Sequence, residues 1–352
     1  MICDKRSFFV NSVSRRRFFS SMLAVIFFFT TALFFLPGKT NIIYSDPGWL
    51  NDWSKRIQLT IRHEHISEDL VNFPLMVYLS ESSGRNEADL SLIFNEIGAN
   101  ARKIAFTTSD GTTHCNAEIE RWDSASERAW IWVRVPFIDS SADTTLYLYY
   151  DNDQPDNPLV NFTGTSAAQD VWSNNYQGVW HMQDQNSSLV PDSSGNANSG
   201  SKQAANQPQE VGGVIGRGQF FDGVDDYISF GNNNLNQQLS GAGGITLSTW
   251  INPSSLASGG IDDRNVIFDI PIGNELSAIK MYLFDNGRLG VGGMSIEDDG
   301  FRFIEHHESV VNSGNWYHLS TVLNFSGNSI TAYLDGQPLM SGVSNFDSNF
   351  YC

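Results

Sequence analysis

The stretch Gly218-Gln-Phe-Phe-Asp-Gly-Val-Asp-Asp-Tyr-Ile228 decides the fold of this chain. An apolar strand breaks at an Asp-Gly turn, where Gly223 can adopt a positive φ at little cost, and the chain resumes as a second strand at Ile228. Residues 246–251, 316–322 and 330–336 repeat this succession of strand and turn. The pattern predicts antiparallel β-structure in which the aromatic residues of the stretch fill the core.

Alternating apolar and polar residues predict strands in the remainder of the chain as well. Ile57, Leu59 and Ile61 alternate with polar neighbours, and the same period of two recurs at residues 73–79. One short helix is expected near residues 87–94, and residues 109–112 carry a turn signal between two strands. We therefore expect an all-β protein with two β-sandwiches, over residues 46–152 and 171–352, joined by a linker at 153–170.

The motifs of the second domain resemble laminin-G-like, concanavalin A-like jellyroll domains. Besides the opening stretch, Val179-Trp-His-Met182 and Pro191-Asp-Ser-Ser-Gly-Asn196 carry this resemblance, which covers residues 171–352. It implies a concanavalin-like jellyroll, a fold that serves chiefly in binding modules of secreted proteins. Members of the family continue after the Leu-Asp-Gly strand into further strands that close the sheet. We therefore expect the jellyroll to be truncated at its C-terminus.

Six ordered motifs between residues 53 and 152 resemble an uncharacterised domain of bacterial envelope proteins. They include Asn72-Phe-Pro-Leu-Met-Val-Tyr-Leu79 and Ala129-Trp-Ile-Trp-Val-Arg-Val-Pro136. Such domains are found beside jellyroll domains and are sometimes fused to proton channels of the ExbB and TolQ type. Channel activity is not implied here, because the sequence shows no multi-span segment. Asp151 stands where the family usually has glycine, so the turn after the last strand is expected to differ.

Residues 1–45 have the pattern of an export segment. Arg15, Arg16 and Arg17 precede an uncharged run over residues 18–38 that is rich in Phe and Leu. Three interpretations remain open: a twin-arginine signal, an ordinary secretory signal, and an uncleaved anchor in the inner membrane. We expect the rest of the chain to lie in the periplasm, at the cell surface or outside the cell.

Net charge and cysteine content narrow the range of functions. The net charge of −18 disfavours a nucleic-acid partner, because an acidic surface repels the phosphate backbone. Cys3, Cys115 and Cys352 are too few for a disulfide framework. Cys115 is expected to be a lone, buried thiol.

Calcium is the cofactor that the acidic turns favour. Ca²⁺ takes six to eight oxygen ligands, and loops rich in Asp and Asn supply them. Laminin-G-like domains often hold one such ion between loops. The candidate ligands in this sequence are Asp192, Asp222, Asp225 and Asp226. The alternative is that these aspartates only form turns.

Aromatic side chains are candidates for sugar recognition, because their flat faces pack against ligands. The residues predicted to form a ligand-binding surface are Trp172, Tyr176 and Tyr282. The tryptophans in the repeated strand motifs are predicted to fill the core instead, and these are Trp180, Trp250 and Trp316.

Two patterns in the first domain suggest chemistry but are interpreted as structural. Glu118-Ile-Glu-Arg-Trp-Asp123 is similar to the carboxylate run of jellyroll glucanases, yet it lies outside the jellyroll. We expect a solvent-facing strand there, with Ile119 buried on its other face. His63-Glu64-His65 places two imidazoles on one predicted strand face, but a third metal ligand cannot be named. The sequence shows no clear Ser-His-Asp arrangement.

These features together predict an exported, non-catalytic protein that binds glycans or cell-surface proteins through its jellyroll domain. One alternative is a carbohydrate-active enzyme on the same fold, which would need an acidic triad on a jellyroll strand. The strands over residues 246–251, 316–323 and 330–335 show no such triad. The other alternative is a structural spacer in a surface assembly or an ExbB/TolQ-type envelope assembly.

Overall fold

A computed structural model of the chain describes residues 8–12, 49–50, 53–204, 207–230, 233–256, 264–272, 276–294, 302–343, 346 and 350. It divides into two compact units. The N-terminal unit is Phe18–Asn174 with Ser193–Gly195, and the C-terminal unit is Met1–Arg17, Asn175–Asp192 and Asn196–Cys352. Strands dominate the described part of both units, which confirms the predicted all-β class with two β-sandwiches.

Strands are numbered along the chain from β1 (Phe8–Ser12), which belongs to the C-terminal unit. Those of the N-terminal unit are β2 (Arg56–Ile61), β3 (Leu70–Leu79), β4 (Ile104–Thr108), β5 (His114–Cys115), β6 (Ala117–Asp123), β7 (Arg128–Ile138), β8 (Thr144–Tyr150) and β9 (Val160–Phe162). Its helices are α1 (Ser91–Ile97) and α2 (Ser166–Gln169), with 3-10 turns at His63–His65 and Asp170–Trp172.

The N-terminal unit is a sandwich of two four-stranded sheets, ordered β2-β8-β4-β5 and β3-β7-β6-β9. The alternation of apolar residues places one face of each sheet in a shared core, to which Leu59, Leu75, Ile131 and Leu148 contribute. The helix expected near residues 87–94 is present as α1, a few residues later. Gly111, in the turn predicted at residues 109–112, has a φ of 72°.

The segment predicted to be a linker is partly built into the N-terminal unit. β9 pairs in parallel with β6, and the N–H of Ala117 donates to the carbonyl of Leu159 at 2.9 Å. Asn157 Nδ2 donates to the carbonyl of Ile104 at 3.0 Å. This segment therefore contacts both sheets of the N-terminal unit, since β9 extends the sheet of β6 and Asn157 bonds to β4 of the other sheet.

The C-terminal unit contains fourteen further strands and one helix, α3 (Asn233–Leu239), among the described residues. The strands are β10 (Tyr176–Trp180), β11 (Leu189–Val190), β12 (Gly200–Lys202), β13 (Gln209–Gly212), β14 (Arg217–Phe220), β15 (Ile228–Ser229), β16 (Ile245–Ile251), β17 (Arg264–Ile272), β18 (Leu276–Phe284), β19 (Leu289–Gly293), β20 (Arg302–Glu305), β21 (Tyr317–Asn324), β22 (Ser329–Leu334) and β23 (Gln337–Val343).

Two large sheets form the body of the C-terminal unit. One has six strands in the order β10-β1-β16-β21-β22-β23, and the other has four in the order β17-β18-β19-β20. Trp180, Leu247 and Leu319 from the first sheet join Ile279 and Val291 from the second in one hydrophobic core. Two small sheets, β11-β12-β15 and β13-β14, carry the stretch quoted at the outset.

Five residues of the predicted export segment take part in the six-stranded sheet. β1 lies between β10 and β16 and runs antiparallel to both. The predicted signal or anchor at residues 18–38 lies outside the described residues. Within the part of the chain that the structure describes, no helix has the length and apolar character needed to cross a bilayer.

Candidate functional site

Residues 220–227, from the last residue of β14 to the start of β15, are referred to here as the Asp-Gly loop. Gly223 has a φ of 80°, so the glycine takes the conformation that the predicted turn requires. Asp226 Oδ2 accepts the backbone N–H of Asp222 at 2.9 Å, and Asp222 Oδ1 accepts that of Val224 at 2.8 Å. Two carboxylates therefore hold the loop backbone in place.

Three carboxylates come together in the Asp-Gly loop. Oxygen atoms of Asp222, Asp225 and Asp226 lie within 4.8 Å of one another. Asp226 is buried, whereas Asp222 and Asp225 are exposed. A carboxylate that accepts a backbone hydrogen bond keeps further lone pairs, and oxygen is the ligand that Ca²⁺ prefers. The structure thus gathers three of the four predicted ligands into a group that could hold a hard cation.

Asp192, the fourth predicted ligand, does not belong to this group. Its side chain is buried, with Oδ1 accepting the N–H of Val179 and Oδ2 accepting the N–H of Asn198, both at 2.9 Å. These bonds fix the turn between β11 and β12 against β10. Asp192 is accordingly placed where it stabilises a turn.

Apolar side chains of the Asp-Gly loop are exposed to solvent. Phe220 is 37% exposed, Tyr227 is 41% exposed and Val224, next to the turn glycine, is 81% exposed. The expectation that the aromatic residues of this stretch fill the core is therefore wrong for Phe220 and Tyr227. The strands on either side are short and belong to small sheets, so the loop does not pass through the main core.

The structure encloses the three aromatic residues that were predicted to form a ligand-binding surface. Trp172, Tyr176 and Tyr282 are all buried. Tyr282 Oη donates to Glu305 Oε1 at 2.7 Å. Burial raises the pKa of the Tyr176 phenol. Each ring therefore has a packing role in the described structure and does not present an open face to a ligand.

The tryptophans predicted to be core residues divide into two groups. Trp180 is fully buried in the core of the C-terminal unit, and its Nε1 donates to the carbonyl of Asn198 at 2.7 Å. Trp250 is also buried, with its ring 5.2 Å from that of His318. Trp316 is only half-buried, because it lies just before β21 begins.

Sequence reasoning missed a buried serine–histidine pair in the six-stranded sheet. Ser248 Oγ lies 2.8 Å from His318 Nε2, and both residues are buried. Asp335 Oδ1 accepts the backbone N–H of His318 at 2.8 Å. Burial lowers the pKa of His318 to about 3, so the imidazole is neutral at physiological pH. The pair can be recognised once β16 is aligned with β21. In that register Trp250 lies opposite His318, and Ser248 is two residues from Trp250 along β16.

Glu118 in the N-terminal unit is buried, although a solvent-facing position was expected. Its Oε2 accepts the indole N–H of Trp172 at 2.5 Å, and its Oε1 accepts the hydroxyl of Ser193 at 2.7 Å. The two oxygens are thus engaged by donors from outside β6. A carboxylate buried in this way needs such donors, because burial removes it from water.

Glu120 is buried as well, and it lies at an irregularity in β6. The pairing with β7 shifts between Ile119 and Arg121, which is the signature of a β-bulge at Glu120. Glu120 Oε2 accepts the indole N–H of Trp132 at 2.7 Å. The expected solvent-facing strand is therefore wrong for both glutamates, while Ile119 is buried as predicted.

The His63–His65 segment forms a 3-10 turn and not a strand. The expectation that its two imidazoles share one strand face is therefore wrong. His63 Nδ1 lies 2.6 Å from Asp143 Oδ1, and His65 Nε2 lies 3.3 Å from an Arg85 guanidinium nitrogen. A 3-10 turn interrupts the period of two on which the strand interpretation depended. The two rings are engaged by different partners.

Replacement of Trp172 by phenylalanine is expected to lower the free energy of unfolding of the N-terminal unit by about 2 kcal/mol. The change removes the N–H that Glu118 accepts and leaves a buried carboxylate oxygen without that donor. Chemical denaturation of the full chain measures the loss. Trp130→Phe is the matched control, because Trp130 is half-buried on β7 and should cost about 1 kcal/mol or less. Equal losses would contradict the role of the indole.

Comparisons with known proteins agree with this architecture. Residues 100–175 match the family described as domain of unknown function (DUF2341), and residues 221–350 match the concanavalin A-like lectin/glucanases superfamily. No curated protein matches the sequence.

Among solved structures, the chain is similar to the crystal structure of an S-layer domain-containing protein (residues 221–444) from Clostridium thermocellum ATCC 27405. The identity is 18%, the match covers 47% of this chain and 69% of that chain, and the TM-score is 0.23. At that TM-score the likeness carries no argument about fold or function. From the two family matches, the chain has a region similar to DUF2341, followed by a region similar to the concanavalin A-like lectin/glucanases superfamily.

Proposed function

We propose that this protein is an exported, non-catalytic binding protein of the cell envelope or the extracellular space, and that its C-terminal unit recognises a glycan or a protein partner. Similarity of residues 221–350 to the concanavalin A-like superfamily supports a binding role. The arginines and the Phe-rich run before residue 39 support export, with either a cleaved signal or an inner-membrane anchor over residues 18–38. In an exported chain of either kind, β1 would leave the sheet in which it pairs with β10 and β16.

The observation that carries the proposal is the exposure of Phe220, Val224 and Tyr227 on the Asp-Gly loop. Exposed apolar side chains grouped on one surface segment are typical of interaction sites. A ligand that covered them would remove apolar area from water, which favours binding. The proposed contact surface is therefore the Asp-Gly loop and not the enclosed Trp172, Tyr176 and Tyr282.

The carboxylates of the same loop favour a glycan as the ligand. Asp222 and Asp225 are exposed and can accept hydrogen bonds from hydroxyl groups. The Tyr227 ring offers an apolar face, and a sugar ring carries both hydroxyl groups and apolar C–H faces. A ligand pocket of this kind combines apolar contact area with a few placed polar groups.

Calcium is the cation that we propose for the three grouped aspartates. Asp222, Asp225 and Asp226 supply hard oxygen ligands within one short loop. A bound cation would neutralise part of the negative charge of the loop and restrain Asp225, whose position is not fixed by the two backbone bonds already described. The proposal therefore includes a requirement for calcium in ligand binding.

We propose a non-catalytic role because four candidate carboxylates already have structural roles. Glu118 and Glu120 are buried and accept indole N–H groups, so neither is placed to protonate a solvent-borne substrate. Asp222 and Asp226 hold the backbone of the Asp-Gly loop. A general acid must reach the leaving group of its substrate.

A glycan-array screen of the full chain, with and without a calcium chelator, tests the proposal. We expect a defined set of glycans to bind, and Tyr227→Ala to weaken binding by about tenfold or more through loss of its exposed ring. The chelator and Asp225→Asn should each weaken binding of the same glycans.

Phe303→Ala is the matched control for the loop variant. Phe303 is an aromatic residue of the same unit, 52% exposed, and it lies on β20 away from the Asp-Gly loop in sequence. This variant should bind as the wild type does. Binding to no glycan, or equal losses for Tyr227→Ala and Phe303→Ala, would contradict the proposed site.

A further inference from the structure

A fully buried lysine–aspartate pair lies in the C-terminal unit, apart from the Asp-Gly loop. Lys202 ends β12, and Asp184 lies in the loop after β10. Lys202 Nζ is 2.6 Å from Asp184 Oδ2, and the side chains of both residues are 0% exposed. The same Nζ donates to the carbonyl of Pro208 at 2.9 Å. The amine and the carboxyl group are therefore held together without access to solvent.

Several further groups fix the Asp184 carboxyl group in place. Gln219 Nε2 donates to Asp184 Oδ2 at 2.5 Å, and the backbone N–H of Asn186 donates to Oδ1 at 2.7 Å. Glu210 Oε2 accepts the backbone N–H groups of Asp184 and Gln185 at 2.7 and 3.0 Å. Because both oxygens accept hydrogen bonds, the carbonyl carbon is polarised toward a nucleophile.

The hydrogen bond between Lys202 Nζ and Asp184 Oδ2 provides a path for one proton. It is 2.6 Å long, and neither side chain is exposed to solvent. A proton can pass along the short hydrogen bond from Nζ to Oδ2. This transfer creates a nucleophilic amine and a protonated carboxyl group without an external acid or base.

We propose that Lys202 and Asp184 join in an intramolecular isopeptide bond. A nitrogen bound to one carboxyl oxygen lies roughly 3–3.5 Å from the carboxyl carbon, which is the near-attack range. The Nζ lone pair forms the new C–N bond at Asp184 Cγ. The C–O bond to the protonated oxygen then breaks, and that hydroxyl leaves as water with a proton taken from Nζ. No oxidant or reductant is needed.

Gln219 serves this reaction in two ways. Its Nε2 donates to Oδ2, the oxygen that leaves as water, while the backbone N–H of Asn186 donates to Oδ1, the oxygen that carries charge when the tetrahedral intermediate forms. Its Oε1 is buried and has no hydrogen-bond partner among the described residues, so it can accept a hydrogen bond from the water that leaves. Its second Nε2 bond, to the carbonyl of Met182 at 2.7 Å, orients the amide.

The cross-link would covalently join two segments of the C-terminal unit, which has no disulfide between described residues. Cys115 is the free cysteine of the described part of the chain, and burial raises its pKa to about 12, so it is a poor nucleophile. An isopeptide bond between Asp184 and Lys202 would tie β12 to the loop after β10. This inference does not depend on the proposed ligand or on calcium.

Trypsin digestion of the purified, denatured full chain, followed by mass spectrometry, tests the proposal. Residues 135–201 contain no lysine or arginine, so an unmodified chain yields one peptide over 135–202 and another over 203–217. The isopeptide bond blocks cleavage after Lys202. We expect a single peptide over 135–217 that is lighter than its calculated mass by one water molecule.

Lys280 and Asp269 provide the matched control pair. They are 3.5 Å apart and about one-fifth exposed, so water reaches them and trypsin should cleave after Lys280. Lys202→Arg keeps a cleavage site and cannot form the bond, so it should restore peptides of unchanged mass that end at residue 202. Complete cleavage after Lys202 in the wild-type protein, with both peptides at their calculated masses, would overturn the proposal whether or not the variant folds.

Discussion

Replacement of Gly287 by alanine is expected to lower the free energy of unfolding of the C-terminal unit by about 3–5 kcal/mol. Gly287 lies in the turn between β18 and β19 with a φ of 81°, a conformation that strains any residue with a side chain. A Cβ at this position would lie 2.0 Å from the carbonyl oxygen of Val311. Because that oxygen belongs to the backbone, it cannot rotate away from the clash.

Relief of the clash would also break hydrogen bonds. Val310 and Val311 both donate their backbone N–H groups to the carbonyl of Gly287, each at 3.1 Å. Moving either segment lengthens these bonds and disturbs Val311, which is fully buried in the core. The strain of the positive φ, the steric overlap and the lost bonds therefore act together.

Gly314→Ala separates the steric effect from the backbone effect. Gly314 has a φ of 80°, but a Cβ there would meet no heavy atom of the described residues within 4 Å. This variant should lose only about 1–2 kcal/mol. Urea denaturation of both variants, followed by tryptophan fluorescence, measures the difference. Equal losses would show that the contact with Val311 does not matter.

The stability of the C-terminal unit is expected to fall by about 2 kcal/mol between pH 7 and pH 5 because of His318 alone. Burial lowers the pKa of His318 to about 3, whereas the unfolded chain has an ordinary value near 6.5. Below about pH 6.5 the unfolded state binds a proton that the folded state does not. The stabilising contribution is therefore complete above that pH and is lost progressively as the pH falls toward 3.

His318→Gln should remove this part of the pH dependence, because glutamine does not titrate. The slope of unfolding free energy against pH, measured by denaturation between pH 5 and pH 7, should become shallower than that of the wild type. His307→Gln, which replaces an exposed histidine of the same unit, is the matched control. A His318→Gln slope equal to that of the wild type would contradict the assignment.

The all-β class and the order of the two domains could be predicted from the sequence because they depend on local patterns. Alternation at Ile57, Leu59 and Ile61 marks one face of β2, and those residues are buried in the core. Turn chemistry at Gly111 and Gly223 requires only the residue itself and its neighbours. Such features do not depend on which strands meet.

Burial of individual aromatic and acidic residues could not be predicted in the same way. Trp172 and Glu118 are distant in sequence, and both are buried where the indole N–H of one meets the carboxylate of the other. Phe220 and Tyr227 look like core residues in a strand pattern, yet they are the two ends of the Asp-Gly loop, which joins two small sheets, and they remain exposed. Burial is a property of the assembled sheets, and one sequence does not give their register.

The grouping of Asp222, Asp225 and Asp226 was accessible from sequence because the three lie within five residues. Asp192 was a candidate on the same grounds of composition, but its two backbone partners, Val179 and Asn198, set it apart. The Ser248–His318 pair required the pairing of β16 with β21 over a separation of seventy residues. Sequence spacing identifies sites within one loop more readily than sites across strands.

The pairing of β9 with β6 determines where the N-terminal unit can be cut for separate expression. A fragment ending at residue 152 would lose the Leu159 carbonyl that accepts the Ala117 N–H, and it would leave one edge of β6 open. It would also lose Trp172, whose indole N–H donates a hydrogen bond to the buried carboxylate of Glu118. Open strand edges recruit other chains and favour aggregation. A soluble fragment must therefore extend at least to Asn174.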